Sequence, residues 1–77
     1  MKTLAIEVGR AVRQVRKSRG MSQDELALQA DIDRSYIGRI ERAEANITLD
    51  MLYKIAEVLD CEARDLLPSR ASLKGLI

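Results

Sequence analysis

The stretch 21–42, MSQDELALQADIDRSYIGRIER, most constrains what this chain can fold into. It reads as two short helices joined by a tight turn. Leu26, Ala27 and Ala30 share one side of the first, Ile37 and Ile40 one side of the second, and Ile32 lies between. At 3.6 residues per turn these spacings give each helix a single apolar stripe. The second helix then carries Arg34, Ser35, Tyr36 and Arg39 on or near its outer face. Those are hydrogen-bond donors and a ring, not apolar anchors. This is the layout of a helix-turn-helix, in which one helix braces and the other is free to enter a major groove.

Two helices that cross steeply over a short turn need small residues at the crossing, and Ala27 and Ala30 supply them. Ile37 and Ile40 anchor the second helix so that its other face stays free. An arginine there can pair with both acceptors on a guanine edge, and a tyrosine can meet a thymine methyl or a phosphate. The remainder of the chain keeps the helical period. Leu4, Val8, Ala11, Val12 and Val15 form a stripe that Gly20 ends, with Arg16, Lys17 and Arg19 in the last turns. Ser22 and Glu25 make a capping-box pair, Asp33 is a good N-cap, and Thr48 caps a fourth helix. In that helix Leu49, Leu52, Ile55, Ala56 and Leu59 form the expected inward stripe. A short fifth helix starts near Glu62 and ends before Pro68. The tail, residues 69–77, has helical spacing at Leu73, Leu76 and Ile77, weakened by Gly75. No β alternation persists. The expected class is all-α: a compact five-helix bundle, residues 1–77 forming one domain.

With 77 residues, two tyrosines and no Phe or Trp, the core must be built from Leu, Ile, Val, Ala and Met. Net charge is only +1 but unevenly placed. Residues 1–42 hold nine basic and six acidic side chains; residues 43–77 hold four and six. The basic half carries the helix-turn-helix pattern, as a phosphate-binding module requires. The absence of His, of metal-spaced ligands and of a phosphate-cradling Gly loop argues against an enzyme and against a metal or other cofactor. The lone Cys61 reads as a small hydrophobe. No signal segment and no run of about 18 apolar residues occurs, so no membrane association and a cytoplasmic, nucleoid-associated location are expected.

The residues SQDELALQADIDRSYIGRIER resemble the helix-turn-helix of phage Cro and repressor proteins, the Xre family, over roughly residues 8–67. Arg16, Gly20, the SQ-x-x-LA run and YIGRIER carry the resemblance. The segment NITLDMLYKIAEVLD makes the chain similar to the controller proteins of restriction–modification systems. The resemblance implies a lambda-repressor-like five-helix DNA-binding domain that works as a dimer. It also implies that Gln23 contacts backbone phosphate and that Arg34, Ser35 and Arg39 contact bases. Arg16 and Glu41 match a pair that bridges helices 1 and 3. Asp31 stands where the family prefers glycine, and Ala45 where many controller proteins have a basic residue.

The partners expected are double-stranded DNA and a second copy of the chain, with no small-molecule ligand. Arg42, at the end of the reading helix, is expected to clamp phosphate. Asn46 and Thr48 open helix 4, whose amides could do the same, although capping alone explains Thr48 equally well. Met51 and Val58 lie off the inward stripe of helix 4, and Leu66 and Leu67 follow it. These four are the expected dimer interface. The function expected is a sequence-specific transcription regulator on a palindromic operator, and the resemblance to controller proteins implies an autoregulatory controller of a restriction–modification operon. A phage or plasmid repressor, or an antitoxin-type helical module with a protein partner, is the rival reading.

Overall fold

A computed structural model describes residues 2–73. Four α-helices follow in order: α1 (Lys2–Ser18), α2 (Gln23–Ala30), α3 (Arg34–Glu41) and α4 (Leu49–Leu59). Two 3-10 turns, Ala63–Leu66 and Ala71–Leu73, follow α4, and no strand occurs among the described residues. The expected fifth helix is thus the first 3-10 turn, tied at its start by the Glu62 amide donating to Asp65 Oδ2 at 3.0 Å. Of the helical spacing expected in the tail, Leu76 and Ile77 lie outside the described residues.

The helix starts follow from their caps. Ser22 accepts from the Glu25 amide and Glu25 from the Ser22 amide, both at 3.0 Å. Asp33 caps α3 and Thr48 caps α4. All four α-helices end in one device: a residue with positive φ lets its own amide and the next one turn back onto the last carbonyls. Gly20 (φ 68°) serves α1, with its own amide on the Lys17 carbonyl and the Met21 amide on that of Arg16. Asp31 (φ 56°), Ala43 (φ 61°) and Asp60 (φ 56°) serve α2, α3 and α4. Asp31 therefore occupies the left-handed turn in which glycine is preferred.

The core is aliphatic throughout. Val8 and Val12 come from α1, Leu26, Ala27 and Ala30 from α2, Ile37 and Ile40 from α3, and Leu52, Ile55, Ala56 and Leu59 from α4. Ile32 fills the α2–α3 turn, as its place between the stripes suggests. α3 packs on α1 and α2, and α4 on α2 and the first 3-10 turn. The approach of α1 to α3 rests on Gly9. A Cβ there would lie 2.3 Å from the Ile40 carbonyl oxygen, and backbone cannot yield as a side-chain tip can. Arg19 does not end on its own helix. Its Nε donates to the Leu59 carbonyl at 2.7 Å and its Nη2 to that of Asp60 at 3.2 Å, placing a cation at the C-terminus of α4.

Two expectations need correction. Leu49 is not part of the inward stripe but 74% exposed. It is the first residue of α4 and borders a cleft, beyond the reach of the core. Leu66, expected at a dimer interface, is fully buried. The 3-10 turn packs beneath α1 and α4 and so turns Leu66 into the chain's own core. Met51 and Val58 are half-buried against that core, while Leu67 is 45% exposed.

Candidate nucleic-acid interface

The reading helix is held from behind and open in front. Ile37 and Ile40 are buried, whereas Arg34, Ser35 and Arg39 are exposed. Tyr36 differs from these three. It is half-buried, and its hydroxyl donates to the Asn46 carbonyl at 2.9 Å, tying α3 to the loop that leads into α4. The Arg39 guanidinium stands 6.0 Å from the Tyr36 ring centre.

The start of α3 is organised by Asp33. Its Oδ1 accepts from the Ser35 amide at 2.8 Å and from the Ser35 hydroxyl at 2.6 Å. Those hydroxyl and amide donors hold the Asp33 carboxyl below its ordinary value. The Ser35 hydroxyl proton is thereby committed within the chain, and its oxygen lone pairs remain as acceptors.

Behind this surface lies the chain's one buried charged network among the described residues. Arg16 Nε donates to Glu41 Oε2 at 2.7 Å and Nη2 to Glu41 Oε1 at 2.9 Å, a two-pronged pair. Arg16 Nη1 also donates to the Met21 carbonyl at 2.8 Å, tying the α1–α2 connection to the same guanidinium. Their side chains are 9% and 3% exposed. Burial pushes the Glu41 carboxyl up. Hydrogen bonds from Arg16 and Gln23, with the positive charges of Arg16 and Arg13, outweigh it and leave Glu41 below its ordinary value. The hydrogen bond to Glu41 likewise raises Arg16. Gln23 opens α2, and its Nε2 donates to Glu41 Oε1 at 3.0 Å. The expected phosphate ligand is therefore also a third member of the buried pair.

The remaining candidates lie where α3 ends. Arg42 caps α3 and folds back over Gly38, whose missing Cβ would sit 2.9 Å from Arg42 Nη1. Its Nε donates to Glu44 Oε1 at 3.1 Å, while Arg39 Nη2 donates to the Glu44 carbonyl at 3.2 Å. Asn46 and Thr48 are exposed, and the Thr48 hydroxyl oxygen accepts from the Met51 amide at 3.1 Å. The structure thus brings Arg34, Ser35 and Arg39 to one open helix and joins Arg16, Glu41 and Gln23 behind it. Two contributors were not read from the sequence, Gly9 and Asp24, and Arg19, read as a cation for the end of its own helix, serves the end of α4 instead. Asp24 forms an ion pair with Arg34 across the helix-turn-helix. A glycine inside an otherwise helical run was the available signal for Gly9.

The buried pair, the capped turn and the aliphatic bracing together leave one helix face open. The helix-turn-helix family profile matches residues 12–66. This chain belongs to the Xre-type helix-turn-helix family of transcription regulators. It is 45% identical over 60 residues to the control protein C.BamHI of Bacillus amyloliquefaciens, covering 77% of this chain and 74% of that one. The restriction–modification controller protein C.AhdI of Aeromonas hydrophila superposes with a TM-score of 0.80 at 38% identity, covering 82% of this chain and 96% of that one. The biofilm master regulator SinR, solved in complex with DNA, superposes with a TM-score of 0.73 at 37% identity, covering 77% and 95%. The resemblance read from YIGRIER and its surroundings thus leads to the same family.

Proposed function

We propose that this chain binds duplex DNA as a symmetric homodimer, reads a palindromic operator through α3, and controls transcription of a restriction–modification operon, acting as a regulator and not an enzyme. The observation that carries the reading is α3 itself. Its apolar side is fully engaged by the core, and its other side offers Arg34, Ser35 and Arg39 to whatever lies in front. A kinship with C.BamHI and C.AhdI supports the controller role, and SinR, solved with DNA, supports duplex DNA as the ligand.

In this reading Arg34 and Arg39 face base edges and Ser35 contributes an acceptor. Tyr36 holds the loop and reaches DNA through its ring edge. Gln23, Arg42, Asn46 and Thr48 flank the groove and meet phosphates. A second copy covers the exposed Leu49 and Leu67, while Met51 and Val58, on the opposite flank of α4, pack against the chain's own core. Leu49 and Leu67 border a cleft of about 360 Å³ shared with Leu4, Ile47 and Leu52. Two-fold pairing would set two reading helices about 34 Å apart, one turn of DNA.

The test is a ratio of affinities. A cognate duplex is selected from a random pool, and a scrambled duplex of equal composition serves as reference. Arg34→Ala should weaken cognate binding by about 1–3 kcal/mol and relax preference at one position. Arg42→Ala should weaken both duplexes alike, as loss of a phosphate contact does. Arg34→Ala with the parent's cognate-to-scrambled ratio would contradict the reading.

A further inference from the structure

The DNA-facing surface proposed above carries an acid where a phosphate-binding surface would be expected to carry none. Asp24 is the second residue of α2, and its side chain is 72% exposed. Its Oδ1 lies against Nε of Arg34, the first residue of α3, whose side chain is 65% exposed. The closest approach of the pair is through Nε, one corner of a guanidinium fork that also carries two terminal amino groups. A guanine offers two neutral acceptors, O6 and N7, to such a fork. A phosphate offers the same fork full negative charge.

Accordingly, we infer that Asp24 is a specificity-determining residue: it buttresses Arg34 for a guanine and penalises the same arginine for settling on phosphate. The inference rests on the reading of Arg34 as a base reader. Its physics is a difference of two energies. Facing guanine, Arg34 keeps its ion pair through Nε and adds two hydrogen bonds to uncharged atoms. Facing a phosphate, Arg34 must share its charge between two anions, and Asp24 repels the phosphate directly. Discrimination thus comes partly from a repulsive element set against the wrong ligand. The Ser22–Glu25 capping box already secures the start of α2, so Asp24 is not required as its cap.

The experiment measures affinity for the selected cognate duplex and for its scrambled counterpart by fluorescence anisotropy at two salt concentrations. Four full-length chains are compared: the parent, Asp24→Asn, Arg34→Ala and the double variant. Exposed ion pairs of this kind shift equilibria by about two- to fivefold. Asp24→Asn should therefore strengthen scrambled binding by about that factor and cognate binding by less, lowering the ratio. In the Arg34→Ala background the same change should move both duplexes equally, leaving the ratio untouched. A merely electrostatic role predicts equal strengthening in both backgrounds, and that outcome would overturn the inference. A fall in the ratio that persists without Arg34 would overturn it also. If Arg34→Ala alone keeps the parent's ratio, the reader assignment fails first and takes this inference with it.

Discussion

Arg16 and Glu41 illustrate how a single pair can set both stability and its dependence on pH. Both side chains are almost fully buried, and each satisfies the other with two hydrogen bonds. Removing one partner leaves a buried charge uncompensated, so Glu41→Ala should cost about 3–5 kcal/mol while leaving base preference unchanged. The carboxyl of Glu41 is held below its ordinary value of about 4.3 in the folded chain. A group depressed on folding contributes stability that is present above its unfolded value and lost as pH falls through its folded value. Urea midpoints of the parent should therefore decline below about pH 4.3, and Glu41→Gln should show a shallower decline. Asp33 and Glu25 are depressed as well, by their capping partners, and will keep some slope in the variant. Parallel curves for parent and Glu41→Gln would contradict the assignment. Gly9 is the second decisive residue. A methyl there meets the Ile40 carbonyl, so Gly9→Ala should destabilise by about 1–3 kcal/mol in a denaturant titration. A neutral effect would mean that α1 and α3 can part without cost.

Among the elements, what could be read in the sequence was what has a local cause. The boundaries of α2 and α3 follow from Ser22, Glu25 and Asp33, whose side chains close hydrogen bonds within three residues. The helical period located the buried faces of α1, α2 and α3 for the same reason. Leu49 escaped because periodicity gives direction around an axis, not distance along it, and α4 begins beyond the core. Leu66 escaped because a 3-10 turn has a different period from an α-helix. Of the candidate site, the exposure of Arg34, Ser35 and Arg39 was legible from the stripe opposite them. The pull of Gln23 into the buried pair and the Asp24–Arg34 contact were not, since both are set by the packing of α2 against α3. The helix ends carry one clear prediction. Ala43 holds φ 61°, a left-handed conformation disfavoured by any Cβ. Ala43→Gly should raise stability by about 0.5–1 kcal/mol, part of the relief being offset by the greater freedom of glycine when unfolded. A loss of stability in thermal unfolding would show that the terminus of α3 is not strained.

At the scale of the whole molecule, the chain divides into an aliphatic body and two surfaces. One is the helix-turn-helix face; the other is the cleft bordered by Leu49 and Leu67. If the second surface joins two copies, Leu49→Glu with Leu67→Glu should yield a folded monomer that binds operator much more weakly. Sedimentation and helical circular dichroism read the two halves of that statement. A parent chain that sediments as a monomer at tens of micromolar with tight operator binding retained would contradict the dimer. The central claim concerns the first surface, and nuclear magnetic resonance tests it most directly. The amide signals of the chain are followed while the selected cognate duplex is added. The largest shifts should fall on Arg34 to Arg39 and on Gln23 and Asp24 at the start of α2, and they should diminish as salt is raised. Shifts confined to α1 or α4, with residues 34–39 unmoved at saturation, would contradict α3 as the element that reads DNA.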